Sequence, residues 1–341
     1  MGSADMRKKI TLLIALILIV SASLFAYYPS RQLQPLTKVA IGTTAPNSSC
    51  WPIYIAKDSA IFEKYGLDAS IASVSGGKDV IISLVAGQIQ IGAATSDIVV
   101  AARLEGLDVV QIGAMETGPA GLYLVTRPEI TSVQQLRGKV GAVVTVGAGL
   151  GYLAMVTMLR QLGFDPMNDV TIIAVSGATS VRFAALQAGK VDFMLTSQVL
   201  KAKELGLNVL LNVADVVQGI PGNAYVVSTE YLKHNREIAE RFMKAVTEAV
   251  RFFFGNKEES KRILGRWMME NDSRTLEQDY QDWSKVALRV PANSLDQMRK
   301  VLDAMAPFTS KAASADPNIF IDNSIVQELE DEGFFKRIWE S

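Results

Sequence analysis

One cysteine and one histidine occur in 341 residues, and that scarcity removes whole classes of chemistry. Cys50 has no partner for a disulfide within the chain, and one Cys with one His cannot supply the four ligands of a cysteine-based structural zinc site. His234 would have to be the base of any Ser-His-Asp or Cys-His arrangement. It lies in "STEYLKHNREIAERF" among the polar residues of an amphipathic pattern, where a solvated surface histidine is expected. An excess of either charge is missing too: 34 Lys and Arg against 35 Asp and Glu leave no global field to draw the protein to nucleic acid or an anionic membrane. No GxxxxGK(S/T) loop occurs, so no intrinsic ATPase is expected. "VGAGLG" spaces Gly147, Gly149 and Gly151 as GxGxG instead of GxGxxG, and the strand "DVTIIAV" after it leads to Ser176 where a ribose-binding acid would stand. No residue set calls for a cofactor, a metal or catalysis, and a non-enzymatic role is expected.

What the chain does have is apolar surface, 49% of residues, enough at this length for two packed lobes. Residues 1–28 read as a targeting segment. Arg7, Lys8 and Lys9 precede the apolar run Ile10 to Val20, and Ser21 and Ser23 offer a small-x-small cleavage site. Cleavage is the expected outcome, with an uncleaved anchor as the alternative because the apolar run continues through "LFAYY". No cysteine follows closely enough for a lipoprotein anchor. Residues 29–37 read as a short leader, and export through the plasma membrane follows.

The folded part says nearly the same thing twice. "VSGGKDVIISLVAGQIQIGAATS" starts at Val74 and "VSGATSVRFAALQAGKVDFMLTS" at Val175, 101 positions later. "KVAIGTT" is answered by "KVGAVVT" at the same offset, and "GLYLVTR" near Tyr123 by "NAYVVST" near Tyr225. Each copy alternates β-branched runs with helical patterns, which implies an α/β unit with a mainly parallel sheet and ligands at the carboxyl ends of its strands. We expect lobe 1 over 38–124, lobe 2 over 125–226, and a helical C-terminal part over 227–341 packing on lobe 1. "YLVTR" and "YVVST" are then the two crossings between lobes, and two crossings make a hinge.

The strand-to-helix loops of both copies carry small polar residues. Glycine permits close backbone approach, Ser and Thr supply hydroxyls, and helix starts offer unpaired amides, a set suited to a small ligand and often an anion. The same residues serve as ordinary N-caps; only the pairing of equivalent loops across the copies points to a shared cleft. Trp51 and Tyr152, at comparable helix starts, either close on the ligand or pack beneath the loops. Lys78 and Asp97 either read ligand charge or cap and are solvated. Arg182 is placed to reach an anion, although a surface ion pair is the plainer expectation, and Cys50 reads as a small buried hydrophobe.

"YIAKDSAIFEKYGLDA", "LVAGQIQIGAATS", "RPEITSVQQLRGKVGAV", "LRQLGFDP" and "ALQAGKVDFMLTS" resemble the nitrate/sulfonate/taurine class of ABC transporter solute-binding proteins. The resemblance implies an α/β, two-lobed type II periplasmic-binding-protein fold of mixed sheets with hinge crossovers and a helical C-terminal part. It implies a periplasmic monomer that captures a small-molecule ligand and docks on an ABC permease with its ATPase, touching the membrane only through its signal segment or the permease. Carried onto this chain, the ligand-binding residues are Asn47, Ser48, Ser49, Cys50 and Trp51; Ser75, Gly76, Gly77 and Lys78; Thr95, Ser96 and Asp97; Gly147, Ala148, Gly149 and Tyr152; and Thr196, Ser197 and Gln198. The chain departs from the class in its glycine-rich "VGAGLG" loop and in lacking an arginine clamp there. An organic acid, sulfonate or amide therefore fits the resemblance better than a bare inorganic anion. Alternatives on the same fold are a thiamine-precursor synthase, which the single Cys and His argue against, and a chorismate-type dehydratase, which export would separate from its substrate. A membrane-tethered sensor is a third.

Overall fold

The computed structural model describes residues 35–340 except 45, 75, 148 and 218; the targeting segment and most of the leader lie outside them. Thr37–Thr43, a β-branched run buried at Val39 and from Ile41 to Thr43, forms β1, and the duplicated pattern produces two sheets. The first contains β1, β2 (Leu67–Ser73), β3 (Ile91–Thr95) and β4 (Val110–Ala114), and the second β5 (Tyr123–Thr126), β6 (Val140–Val143), β7 (Thr171–Ala174), β8 (Phe193–Thr196) and β9 (Asn208–Asn212). β10 (Asn223–Val227) returns to the first sheet. The orders are β2-β1-β3-β10-β4 and β7-β6-β8-β5-β9. β1 is parallel to β2 and β3, as β6 is to β7 and β8, whereas β10 and β5 run antiparallel to both of their neighbours. The sheets are mixed, not mainly parallel.

Two expectations are corrected by these positions. "YLVTR" and "YVVST" are not the crossings themselves. All four residues of β5 are buried and paired with β8 and β9, so this strand belongs to the second sheet and does not bridge the two. The chain passes between sheets just before each strand, over 115–122 and 213–222. The C-terminal part, moreover, does not pack on one lobe. The helices Arg236–Gly255, Lys257–Met268, Ser273–Val286 and Ser324–Asp331 bury Phe242, Phe253, Trp283 and Leu329 against Ile41, Trp51 and Ile91 of the first lobe. Leu295–Met305 instead turns Met298, Val301, Leu302 and Met305 onto Val143, Leu153 and Met158 of the second, with Val100 of the first beside them. The i, i+3, i+4, i+7 spacing of those four residues is an apolar stripe that any facing lobe can accept. His234 is exposed and 2.8 Å from Glu230, a surface residue as expected. No helix among the described residues is long and apolar enough to cross a membrane.

Candidate functional site

The strand-to-helix loops of both lobes face one another, but the residues singled out in them divide into lining and support. After β1, the Asn47 carboxamide accepts the Ser49 amide at 3.0 Å and opens a short 3-10 turn, Ser48–Cys50. Pro52 then starts the helix Trp51–Asp58. Cys50 is buried, and burial followed by the nearby Glu116 pushes its thiol up to about 12, so it is no nucleophile. Trp51 is fully enclosed, edge-on to Phe253 at 5.0 Å and Tyr280 at 6.2 Å. Of the two readings of Trp51, packing is the one adopted.

Ser75 and Ala148 lie outside the described residues. Gly76 and Gly77 open the helix Gly77–Val85, from which Lys78 is exposed. Ser96 faces inward, hydrogen-bonded to Gln111 and the Gly222 carbonyl. Asp97 is 3% exposed and is not a solvated cap: its Oδ2 accepts the Gly149 amide of the other lobe at 2.7 Å, and burial raises its pKa. Gly147 and Gly149 both have positive φ, +82° and +87°, and a side chain at Gly147 would press on the Phe308 ring at 3.2 Å. Tyr152 packs edge-on to Phe308 at 5.2 Å and is 5% exposed. Thr196 is buried and its Oγ1 accepts the Gln198 amide at 3.1 Å, whereas Ser197 and Gln198 are exposed.

Three cavities open at these loops. One of about 580 Å³ brings Asn47 and Ser48 of the first lobe together with Ser180, Ser197 and Gln198 of the second and with Thr275, Gln278 and Asp279 of the helix Ser273–Val286. A second, about 200 Å³, sits at the ends of β6 and β8 between Gly151, Thr179, Arg182, Thr196 and Ser197. The third, a groove of about 640 Å³ with Lys78, Asp97 and Gly147, is mostly apolar and runs beside Ile81, Ile82 and Phe308. Arg182 is 8% exposed and forms no surface ion pair. Its guanidinium donates to the carbonyls of Val175 and Gly177 and to Thr179 Oγ1.

Two polar clusters at the crossings escaped the sequence reading. Glu116, fully buried in the first crossing, accepts the Asn223 amide at 3.0 Å and its side-chain amide at 3.3 Å just after the second. Burial pushes its carboxyl up to about 7 against those bonds. Gly222 is required beside it, since a Cβ there would overlap the carboxyl group. Asp282 of the helix Ser273–Val286 accepts from Tyr123 Oη at 2.7 Å and Asn212 Nδ2 at 3.2 Å, and Gln278 donates to Tyr123 at 2.7 Å. Tyr123 begins β5 and Asn212 ends β9, so one C-terminal helix grips both strands where they meet the crossings. Asp282 and Gln278 lie in the unrepeated tail and have no echo in the other copy, which is why the second cluster is not visible in the repeat.

Two mixed sheets, two crossings and cavities lined from both sides define the class by its fold: a two-lobed α/β protein with the architecture of the periplasmic-binding-protein type. The aliphatic sulphonate binding protein SsuA of Escherichia coli superposes with a TM-score of 0.70 at 18% identity, over 85% of this chain and 99% of that one. The nitrate-binding protein NrtA of Synechocystis PCC 6803 does so with a TM-score of 0.65 at 14% identity, over 87% and 89%. In sequence, the chain is 24% identical to the putative binding protein YtlA of Bacillus subtilis (strain 168) over 231 residues, 66% of this chain and 69% of that protein. The chain belongs to the NMT1/THI5-like family, whose model matches residues 47–260. The resemblance to the nitrate/sulfonate/taurine class is thereby upheld. The family name is shared with some enzymes, while these relatives are named as binding proteins.

Proposed function

We propose that the protein is the exported, extracytoplasmic solute-binding component of an ABC importer. It captures a small organic ligand, an organic acid, sulfonate or amide, between its lobes and delivers it unchanged to a permease driven by a separate ATPase. One observation carries the reading: Asn47 and Ser48 share a ligand-sized cavity with Ser197 and Gln198 from the other lobe, so a bound molecule would tie the two together. The short crossings allow the lobes to rotate about them. Cys50, the single cysteine, is buried and its thiol is pushed up to about 12, the setting of a packing residue.

Native mass spectrometry of freshly purified protein should find a co-purified small molecule, and adding that molecule to stripped protein should reduce the radius of gyration in solution scattering. Recovery of a converted product would overturn the reading. Ser197→Ala is the clean variant. Ser197 is exposed on the cavity wall, so its loss should weaken binding by about five-fold, the worth of one hydrogen bond, with stability changed by less than about 0.5 kcal/mol. Thr196→Ala should also lower stability by about 1 kcal/mol, because its hydroxyl caps the turn at Gln198. Equal affinity for wild type and Ser197→Ala would remove this wall from the site.

A further inference from the structure

We propose that the ligand is a dipolar amino-carboxylate, its carboxylate held by Arg182 and its ammonium by Asp279, on opposite sides of Ser197. The inference rests on the solute-binding reading and narrows it to one charge pattern.

Arg182 and Asp279 are a cation and an acid with no ion-pair partner among the described residues, on adjoining cavities that share Ser197. Ser197 lines both the 200 Å³ cavity that contains Arg182 and the 580 Å³ cavity that contains Asp279, so the two cavities adjoin at that residue. Arg182 has no carboxylate within ion-pair distance among the described residues, and three of the five guanidinium N–H groups go to Val175 O, Gly177 O and Thr179 Oγ1. The protein acceptors take both Nη1 hydrogens and one on Nη2. The hydrogens left over, on Nε and Nη2, belong to neighbouring nitrogens, and two such donors match the two oxygens of a planar carboxylate. A buried guanidinium whose only partners are neutral leaves its charge to be met by something else.

On the other side, the charged neighbours of Asp279 are already engaged. Lys201, in the same cavity, pairs with Glu204 at 3.3 Å, and a Glu270 carboxylate oxygen accepts the Asp272 amide at 2.7 Å. Asp279 itself has no ion-pair or hydrogen-bond partner among the described residues. Burial first, then the carboxylates of Asp282 and Glu270, push it up to about 7, the behaviour of an acid that lacks a cation. A ligand ammonium would provide one. A singly charged organic acid would satisfy Arg182 and leave Asp279 as it is; a neutral amide would satisfy neither.

The test is a calorimetric and thermal-shift panel on the whole purified chain: α-amino acids and ω-amino acids from glycine to 6-aminohexanoate, each beside its deaminated and its decarboxylated analogue. For 4-aminobutyrate these are butyrate and butylamine. At least one zwitterion should bind ten-fold or more tighter than both of its singly charged analogues, since each lost charge-assisted contact is worth about ten-fold or more. Asp279→Asn should bring the affinity for that zwitterion down to that of its deaminated analogue while leaving the analogue's own affinity unchanged, a pattern that a merely structural role would not produce. Arg182→Lys should weaken the carboxylate-bearing members and spare the amine. If the best binder is singly charged or neutral, or if no zwitterion of the panel binds, the proposal fails. A co-purified neutral molecule that closes the lobes would overturn the dipolar ligand and leave the solute-binding reading standing. A protein that no small molecule closes would remove both.

Discussion

Replacing Glu116 by glutamine is expected to raise the melting temperature by roughly 5 °C at pH 8 and to leave it unchanged near pH 4. The carboxyl ionises near 4.5 in an unfolded chain and near 7 in the folded protein, because it is fully buried. Folding therefore favours its protonated form. The stability Glu116 contributes is fully present below pH 4.5, declines between 4.5 and 7, and is gone above 7. An upward displacement of that size corresponds to about 3 kcal/mol against the ionised form. The groups facing it are Cys50 and Tyr225, both buried, the Asn223 amides, and the neutral donors Ser49 and Trp283; none carries a positive charge to favour ionisation. Glutamine keeps an oxygen to accept from Asn223 and carries no charge, so it should flatten this part of the pH profile. Asp279, also pushed up to about 7, contributes in the same direction and should leave a smaller slope in the variant. Thermal unfolding of both proteins from pH 4 to 8 measures the difference, and parallel profiles would contradict the account.

Trp51→Ala is expected to cost about 3–5 kcal/mol, a large part of the 5–15 kcal/mol that holds a typical domain together. The indole has no solvent exposure and packs against Phe253 and Tyr280, side chains of the C-terminal helices, so its removal leaves a cavity between the first lobe and its cap. The urea midpoint should fall accordingly, with ligand affinity of the remaining folded protein within a few-fold of wild type. A collapse of affinity with unchanged stability would instead make Trp51 a wall of the site.

Most of the architecture was legible because the chain repeats itself. Comparing "VAIGT" with "VGAVV" or "AATS" with "MLTS" locates equivalent strands and the loops at their ends without knowledge of either fold. The method loses its hold where one copy has no counterpart. Gln278 and Asp279 come from the unrepeated tail, and they reach a cavity only because the helix Ser273–Val286 packs across both crossings. Burial of polar groups was equally hidden. Asp97, Ser96 and Thr196 read as exposed caps or ligand contacts, yet each is enclosed by elements distant in sequence. Arg182 read as a surface cation because local spacing does not reveal that the carbonyls of Val175 and Gly177 turn back onto it. The crossings were misplaced by a few residues for a related reason: "YLVT" and "NAYVV" look the same whether they pass between sheets or complete one.

The position of β5 and β10 has a consequence for the two copies themselves. "GLYLVTR" closes the first repeat but supplies a strand to the sheet of the second, and "NAYVVST" closes the second but supplies one to the sheet of the first. The repeats have traded their last strands, in the manner of two subunits that swap an element and are then fused into one chain. Neither repeat, cut out alone, would hold a complete sheet, and a single nick within 115–122 would leave the C-terminal fragment still threaded, through β10, between β3 and β4 of the N-terminal fragment.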